Sequence, residues 1–159
     1  KVRIANDSIN LTSTLDGNQN GGQVDAFRHA YWMALLSYHI HWRKAMKLGK
    51  AHEKGNYIDF KQRRKEEGSL PDFASSEMDL WNNKIGIEIG KQFDKNLTEL
   101  QLQQLIIQAI LNGEMKIILM NSDGKFLDKD RKIIPESELT GKWENNKCLV
   151  PSNFNWEIF

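Results

Sequence analysis

The amino-acid sequence predicts a mainly α-helical α+β fold, with a helical bundle body of about four helices and a small C-terminal β-hairpin element. Two observations carry this prediction. Apolar residues recur with helical spacing through residues 23–112, and a β-rich run begins only after Gly113. We interpret the 159 residues as one domain, with an irregular lead-in at 1–22, the helical body at 23–112 and a β-rich tail at 113–159.

The four helices are predicted from their apolar spacing and from their capping residues. The third helix is expected to begin at the cap-like sequence Ser75-Ser76-Glu77, and Thr98 is the expected N-cap of the fourth. The segment 37–42 between the first two helices is either a tight connection or a bend in one long helix. The predicted helices cover residues 23–39, 41–56, 74–93 and 98–112, with a charged excursion at 57–72.

The tail carries the signals of a β-hairpin. The run EMKIILM is rich in strand-forming residues, NSDG is a turn signal, and KFLD is a short return strand. The sequence RKIIP is expected to add another short strand.

Net charge, the length of apolar runs and the cysteine content exclude several classes of protein. The net charge of +1 argues against a surface dominated by phosphate-backbone contacts, and no apolar run approaches the roughly 18 residues of a membrane span. The single cysteine, Cys148, excludes an internal disulfide framework. The chain starts at Lys1 with neither an initiator Met nor a signal-peptide core, so we expect it to be part of a longer protein.

The first predicted helix carries one polar cluster. Asp25, His29 and Trp32 share a face, because they are spaced i, i+4 and i+7, and Arg28 lies beside them. An acid four residues before a histidine orients the ring and suits a general base or a metal ligand. The guanidinium of Arg28 suits a phosphate or carboxylate. The alternative is an exposed polar face with Trp32 in the core.

The second predicted helix carries the adjacent pair His52 and Glu53 in the sequence KAHEKG. Adjacent helical residues point about 100° apart, so the two side chains need not act on one atom. The alternative is a histidine near the helix end beside a solvated glutamate.

The third predicted helix carries a polar stripe. Asp79, Asn82 or Asn83, Gly86 and Gly90 follow one side of the helix. Each helical glycine costs about 1 kcal/mol relative to alanine. We expect such a stripe where another backbone approaches closely and the Asp and Asn side chains have buried polar partners. Together the three clusters indicate a single polar centre inside a helical bundle.

A loop before the first helix resembles the opening of a calcium-binding loop. Asp16, Asn18 and Asn20 precede Gly21, but the twelfth position is Phe27 where such loops place a bidentate Glu. Hard oxygen ligands favour Ca²⁺ or Mg²⁺, so this loop is a candidate divalent-cation site. The alternative is a turn-rich loop that caps the helix.

Three strings in order, VDAFRHAYWMALL, GKAHEKGN and MDLWNNKIGIEIG, resemble a family of bacterial polymorphic or contact-dependent toxin C-terminal domains. The resemblance covers roughly residues 24–90. It implies an antibacterial effector domain, secreted or delivered into a target bacterium as the C-terminal part of a larger protein, with a cognate immunity protein as partner. The residues it marks as site candidates are Asp25, Arg28, His29, His52, Glu53, Asp79, Asn82 and Asn83.

The resulting hypothesis is a hydrolase that cleaves an ester or phosphoester bond. His29, oriented by Asp25, would activate water, while Arg28 and the Asn82/Asn83 pair hold an anionic or ester group. Near-neutral charge favours a cell-envelope lipid or lipid-linked precursor over nucleic acid. The glycine-rich loop before a helical histidine is also similar to secreted phospholipases A2, whose adjacent His-Asp pair and disulfides are missing here.

Two alternatives stay open. A nuclease is suggested by the basic run Lys61, Arg63, Arg64 and Lys65, although the following acidic residues are more typical of a solvated helix. A non-enzymatic binding module is the other, because a buried network of Asp, Asn, His and Arg can fix one packing without catalysing a reaction.

Overall fold

The structure, a computed structural model, describes residues 14–64, 70–92 and 98–154. Within these ranges it is mainly helical with a two-stranded antiparallel sheet, which confirms the predicted fold class. No helix in these ranges is long and apolar enough to cross a membrane. The elements are α1 (Gln23–Ile40), α2 (Trp42–Lys61), α3 (Phe73–Gln92), α4 (Glu99–Leu111), β1 (Lys116–Ile118), α5 (Glu136–Leu139) and β2 (Leu149–Pro151).

Helix α1 lies at the centre of the bundle and packs against α2, α3 and α4. Its contact with α3 is backbone to backbone, because a Cβ atom on Gly86 or Gly90 would overlap the backbone of Ala30 or Ala34, respectively. The two contacts advance together along both helices, so α1 and α3 run in the same direction. The close approach predicted for the glycine stripe is therefore confirmed.

The apolar core lies mainly between α1, α4 and the start of the tail. Phe27 and Tyr31 of α1 stack 5.5 Å apart between ring centroids and pack with Leu102 and Ile106 of α4 and with Met115. A smaller apolar cluster on the α2 side of α1 contains Met33, Ala45 and Ile87. The buried polar residues of α1 belong to neither of these two apolar clusters.

One predicted helix end and one predicted helix cap are wrong. Helix α2 extends to Lys61, so the first part of the charged excursion is helical. Helix α3 begins at Phe73, and its first turn is capped by Asp72, whose Oδ1 accepts a hydrogen bond from Ser75 N at 2.9 Å. An Asp at this position supplies both the cap and a favourable charge at the helix N-terminus, so the predicted Ser75-Ser76-Glu77 start lies inside the helix.

The other predicted connections agree with the structure. Thr98 caps α4 in a reciprocal capping box with Gln101. The first two helices are separated by His41 alone, whose φ of 79° reverses the chain, so the tight connection is the correct alternative. Residues 1–13 of the lead-in, 65–69 of the charged excursion and 155–159 of the tail lie outside the described residues.

The hairpin predicted in the tail forms as a bridge across the NSDG turn, but the strand that pairs with β1 is a different segment. Strand β1 pairs antiparallel with β2, with Ile117 opposite Val150. The NSDG turn is closed by hydrogen bonds from the amides of Asp123 and Lys125 to Asn121 Oδ1, but only one bridge, Met120 with Phe126, follows it. The RKIIP segment likewise contributes a bridge rather than a strand. The NSDG turn is therefore predicted correctly from local residues. The partner of β1, by contrast, is a segment about 30 residues further along the chain.

Candidate functional site

Helices α1 and α3 bring three ionisable side chains together. His29 Nε2 lies 3.6 Å from Asp25 Oδ1 and 3.4 Å from Asp79 Oδ1. Each of the three residues is less than a tenth exposed, and one side-chain ligand atom of each lies within 4.8 Å of the other two. We call Asp25, His29 and Asp79 the acid–histidine cluster. The polar face of α1 is therefore buried at Asp25 and His29, and the alternative of a fully exposed face is wrong.

The loop before α1 fixes the first member of this cluster. Asp25 Oδ2 accepts a hydrogen bond from Gly21 N at 2.8 Å, and its Oδ1 accepts one from Arg28 Nη2 at 2.7 Å. Gly21 has a φ of +84°, a conformation that favours glycine. An added Cβ at Gly21 would also lie 3.0 Å from the side chain of Ile118. The glycine-rich loop thus positions a carboxylate of the cluster.

Burial dominates the electrostatics of His29. It lowers the pKa of the imidazole to about 4, and the negative charge of Asp25 offsets part of this effect. Arg28 and His52 lower the pKa further, while a weak side-chain interaction with Asn83 raises it. The ring is therefore neutral at pH 7, with Nε2 directed between two carboxylate oxygens.

Several buried polar atoms around the cluster lack a hydrogen bond within the described residues. They are His29 Nδ1, Ser76 Oγ and both amide atoms of Asn83. Leaving such an atom unsatisfied costs about 1–3 kcal/mol, so these groups are unfavourable for stability alone. A bound substrate or ion next to them would supply the missing interactions.

Helix α2 adds the second predicted cluster to one side of the site. The His52 ring centroid lies 6.4 Å from that of His29 and 6.3 Å from that of Trp32. Glu53 is buried, and its Oε2 accepts a hydrogen bond from Asn56 Nδ2 at 3.0 Å. Glu53 is therefore not the solvated side chain of the alternative interpretation.

The two adjacent asparagines of α3 have different surroundings. Asn82 is fully buried, and its amide both donates to Lys116 O and accepts from Lys116 N, each at 2.9 Å. It therefore holds β1 against α3. Asn83 interacts with the His29 ring and lines a neighbouring pocket. Asn83 is the member of the pair that belongs to the site.

The predicted cation loop uses its oxygens as turn caps. Asp16 accepts hydrogen bonds from Asn18 N at 2.9 Å and Gln23 N at 2.8 Å, and Asn18 Oδ1 accepts one from Asn20 N at 2.9 Å. These bonds match the alternative of a loop that caps α1. A Ca²⁺ or Mg²⁺ site at Asp16, Asn18 and Asn20 stays a prediction.

A pocket of about 310 Å³ lies between α2 and α3, next to Asn83. Its walls are mostly apolar, and its charged residues come from both helices. Sequence reasoning missed this pocket, and the only signal was Gly49, where an added Cβ would lie 3.1 Å from Met33 and 3.2 Å from Asn83 Nδ2. The lining residues are Met33, Met46, Gly49, Lys50, Leu80, Asn83, Lys84, Ile87 and Glu88.

The basic run at the end of α2 is occupied by local contacts. Lys61 Nζ lies 4.5 Å from the Tyr57 ring centroid, and Arg64 is 3.7 Å from Asp59. Arg63 stacks on the Phe60 ring and donates to Gly141 O in the tail at 3.1 Å. Lys65 lies outside the described residues.

Comparison with known proteins identifies one family. The family described as "Domain of unknown function (DUF6973)" matches residues 1–114, more than half of the chain. The match includes the whole acid–histidine cluster and Asn83 and ends just before β1. No curated protein and no solved structure matches the chain.

Proposed function

The chain belongs to the DUF6973 family, and we propose that it is a hydrolytic antibacterial effector domain acting on a cell-envelope lipid or lipid-linked precursor. One observation carries the proposal: the acid–histidine cluster lies beside Asn83, which also lines the apolar pocket. A reactive polar centre next to an apolar cavity is the arrangement that an amphiphilic ester or phosphoester needs. The toxin-like sequence motifs support the effector role.

In this proposal the cluster as a whole activates water. The sequence-based hypothesis gave this task to His29 oriented by Asp25. Asp79 lies as close to His29 Nε2 as Asp25 does, so the ring is shared by two carboxylates. A water molecule held at the cluster would pass a proton to a carboxylate as its oxygen attacks the carbonyl carbon or phosphorus. The bond to the alcohol oxygen would then break, and that proton would pass to the leaving alcohol.

Arg28 and Asn83 would hold the substrate's oxygen atoms. The Arg28 guanidinium carries five N–H donors and bonds Asp25, and its side chain is 37% exposed. It is thus suited to contact an anionic group at the site entrance. The Asn83 amide is buried beside His29 and would donate to the carbonyl or phosphoryl oxygen as negative charge develops there.

The pocket supports a lipid rather than a nucleic acid as substrate. Met33, Met46, Leu80 and Ile87 would contact an acyl chain, at about 0.8 kcal/mol for each buried methylene. The same lining carries Lys50, Lys84 and Glu88, and the excess of positive charge would favour an anionic headgroup. As an effector, the domain would be delivered as the C-terminal part of a larger protein, and a cognate immunity protein would protect the producer.

Inducible expression in the cytoplasm and in the periplasm of a test bacterium separates the main alternatives. We expect lysis and release of lipid breakdown products in the compartment that exposes the envelope substrate, without loss of nucleic acid. Asp79→Asn should abolish the effect, whereas the matched change Asp123→Asn at an exposed turn should not. Nucleic-acid loss preceding lysis would instead favour the nuclease, and no toxicity in either compartment would contradict the effector role.

A further inference from the structure

We infer that Asp25, His29 and Asp79 form a binding site for a divalent first-row metal ion of the Mn²⁺ or Zn²⁺ class. This site is separate from the cation loop at Asp16, Asn18 and Asn20. The inference concerns metal binding itself, so it does not depend on which bond the domain cleaves. It deepens the proposed function by naming how the cluster would activate water.

The two distances from the His29 imidazole to the carboxylates fit ligands of one ion better than hydrogen bonds. His29 Nε2 is 3.4 Å from Asp79 Oδ1 and 3.6 Å from Asp25 Oδ1. Both separations exceed the usual N–H···O range of about 2.7–3.2 Å. Two ligand atoms that are each about 2.0–2.2 Å from a metal, at tetrahedral or octahedral angles, lie roughly 2.8–3.6 Å apart. The observed separations fall within that interval.

The charges of the cluster also favour a cation. Two carboxylates are buried around one imidazole nitrogen, and burying carboxylate charge is costly unless it is compensated. Arg28 Nη2 forms an ion pair with Asp25 Oδ1 at 2.7 Å, and the same oxygen lies 3.6 Å from His29 Nε2. A dication between Asp25 and Asp79 would neutralise the pair where they face His29.

Asn83 provides an independent observation that points to a ligand. It is 3% exposed, lies against the His29 ring, and neither of its amide atoms forms a hydrogen bond within residues 14–64, 70–92 and 98–154. A histidine that binds a metal through one nitrogen usually donates the other N–H to a carbonyl or carboxylate oxygen. With Nε2 on the ion, His29 Nδ1 would carry the proton, and the amide oxygen of Asn83 would be its acceptor.

The ligand set indicates the class of metal. One imidazole with two carboxylates suits Mn²⁺, Fe²⁺ or Zn²⁺, whereas Ca²⁺ and Mg²⁺ prefer oxygen ligands alone. Three protein ligands leave at least one position for water, as in catalytic metal sites. A metal-bound water is more acidic than bulk water, which is the property that the proposed hydrolysis requires.

The first test measures binding without any substrate. Chelator-treated protein would be titrated with Mn²⁺, Zn²⁺, Ca²⁺ and Mg²⁺ by calorimetry, and its melting temperature followed at each concentration. We expect one Mn²⁺ or Zn²⁺ ion per chain and a rising melting temperature. Asp79→Asn should weaken binding at least tenfold, and Asp123→Asn at an exposed turn should leave it unchanged. Binding that is kept in Asp79→Asn would overturn the inference.

A second measurement uses the unaltered chain, so its result does not depend on whether a variant folds. Pulsed electron paramagnetic resonance of the Mn²⁺-loaded protein should detect coupling to one imidazole nitrogen. Bound Mn²⁺ without such coupling, or no Mn²⁺ or Zn²⁺ binding at all, would contradict the site. Metal binding at His29 without hydrolysis of lipid would leave this inference intact and overturn the proposed function.

Discussion

Asp79 on α3 lies 3.4 Å from His29 on α1, slightly nearer to the imidazole Nε2 than Asp25, which shares a helix with the histidine. Because the two residues come from different helices, the site forms only when α1 and α3 pack against each other. It depends on the close crossing of α1 and α3 at Gly86, because a wider separation would move Asp79 away from the ring.

The helix crossing gives the first prediction. Gly86→Ala should lower the free energy of unfolding by about 2 kcal/mol or more, because its Cβ would overlap the backbone of Ala30. Gly55→Ala is the matched helical control, since an added Cβ there meets no atom within 4 Å. We expect it to stabilise the protein by about 0.5–1 kcal/mol. Urea unfolding of both variants checks this, and equal effects would contradict the close crossing.

Substitution of Asn82 should mainly lower stability, whereas substitution of Asn83 should mainly lower activity. Asn82→Ala should destabilise the fold by about 1–3 kcal/mol, because both backbone groups of Lys116 lose their partner. Asn83→Ala should change stability by less than about 1 kcal/mol, since its amide forms no hydrogen bond within the described part of the chain.

Activity should show the opposite order for these two variants. We expect Asn83→Ala to reduce kcat by about 100-fold through loss of a hydrogen-bond donor at the reacting oxygen. Folded Asn82→Ala should retain most of its activity at a temperature well below its melting point. If Asn83→Ala is fully active and Asn82→Ala is inactive while folded, the assignment of the pair is reversed.

The buried histidine predicts a pH dependence of stability. Its pKa falls from 6.5 in the unfolded chain to about 4 in the folded protein, so the unfolded state binds more protons between these values. Stability from this group is therefore complete above about pH 6.5 and is lost as the pH falls towards 4, by roughly 3 kcal/mol in total.

The variant His29→Gln isolates this contribution from the titration of nearby carboxylates. Urea unfolding of metal-free protein between pH 4.5 and pH 7 should give a smaller slope of stability against pH for His29→Gln than for the unaltered protein. Parallel slopes for the two proteins would show that His29 does not lose its proton affinity on folding.

Sequence patterns predicted much of the fold, because helical periodicity and capping are local. The Thr98 cap and the glycine stripe of α3 are examples. The partner of β1 was mispredicted, since β2 is distant in sequence and the NSDG turn is a strong local signal. Local patterns also identified Asp25 and His29 as neighbours, whereas the approach of Asp79 and the pocket beside Asn83 depend on how three helices pack.

The most direct measurement of the central claim is hydrolysis of envelope-lipid vesicles by the purified domain, with Mn²⁺ or Zn²⁺ present. We predict release of ester or phosphoester cleavage products, reduced at least 100-fold in Asp79→Asn and unchanged in Asp123→Asn. Circular dichroism would show that both variants remain folded. A folded Asp79→Asn variant with full activity would contradict the claim that Asp25, His29 and Asp79 form the reaction centre.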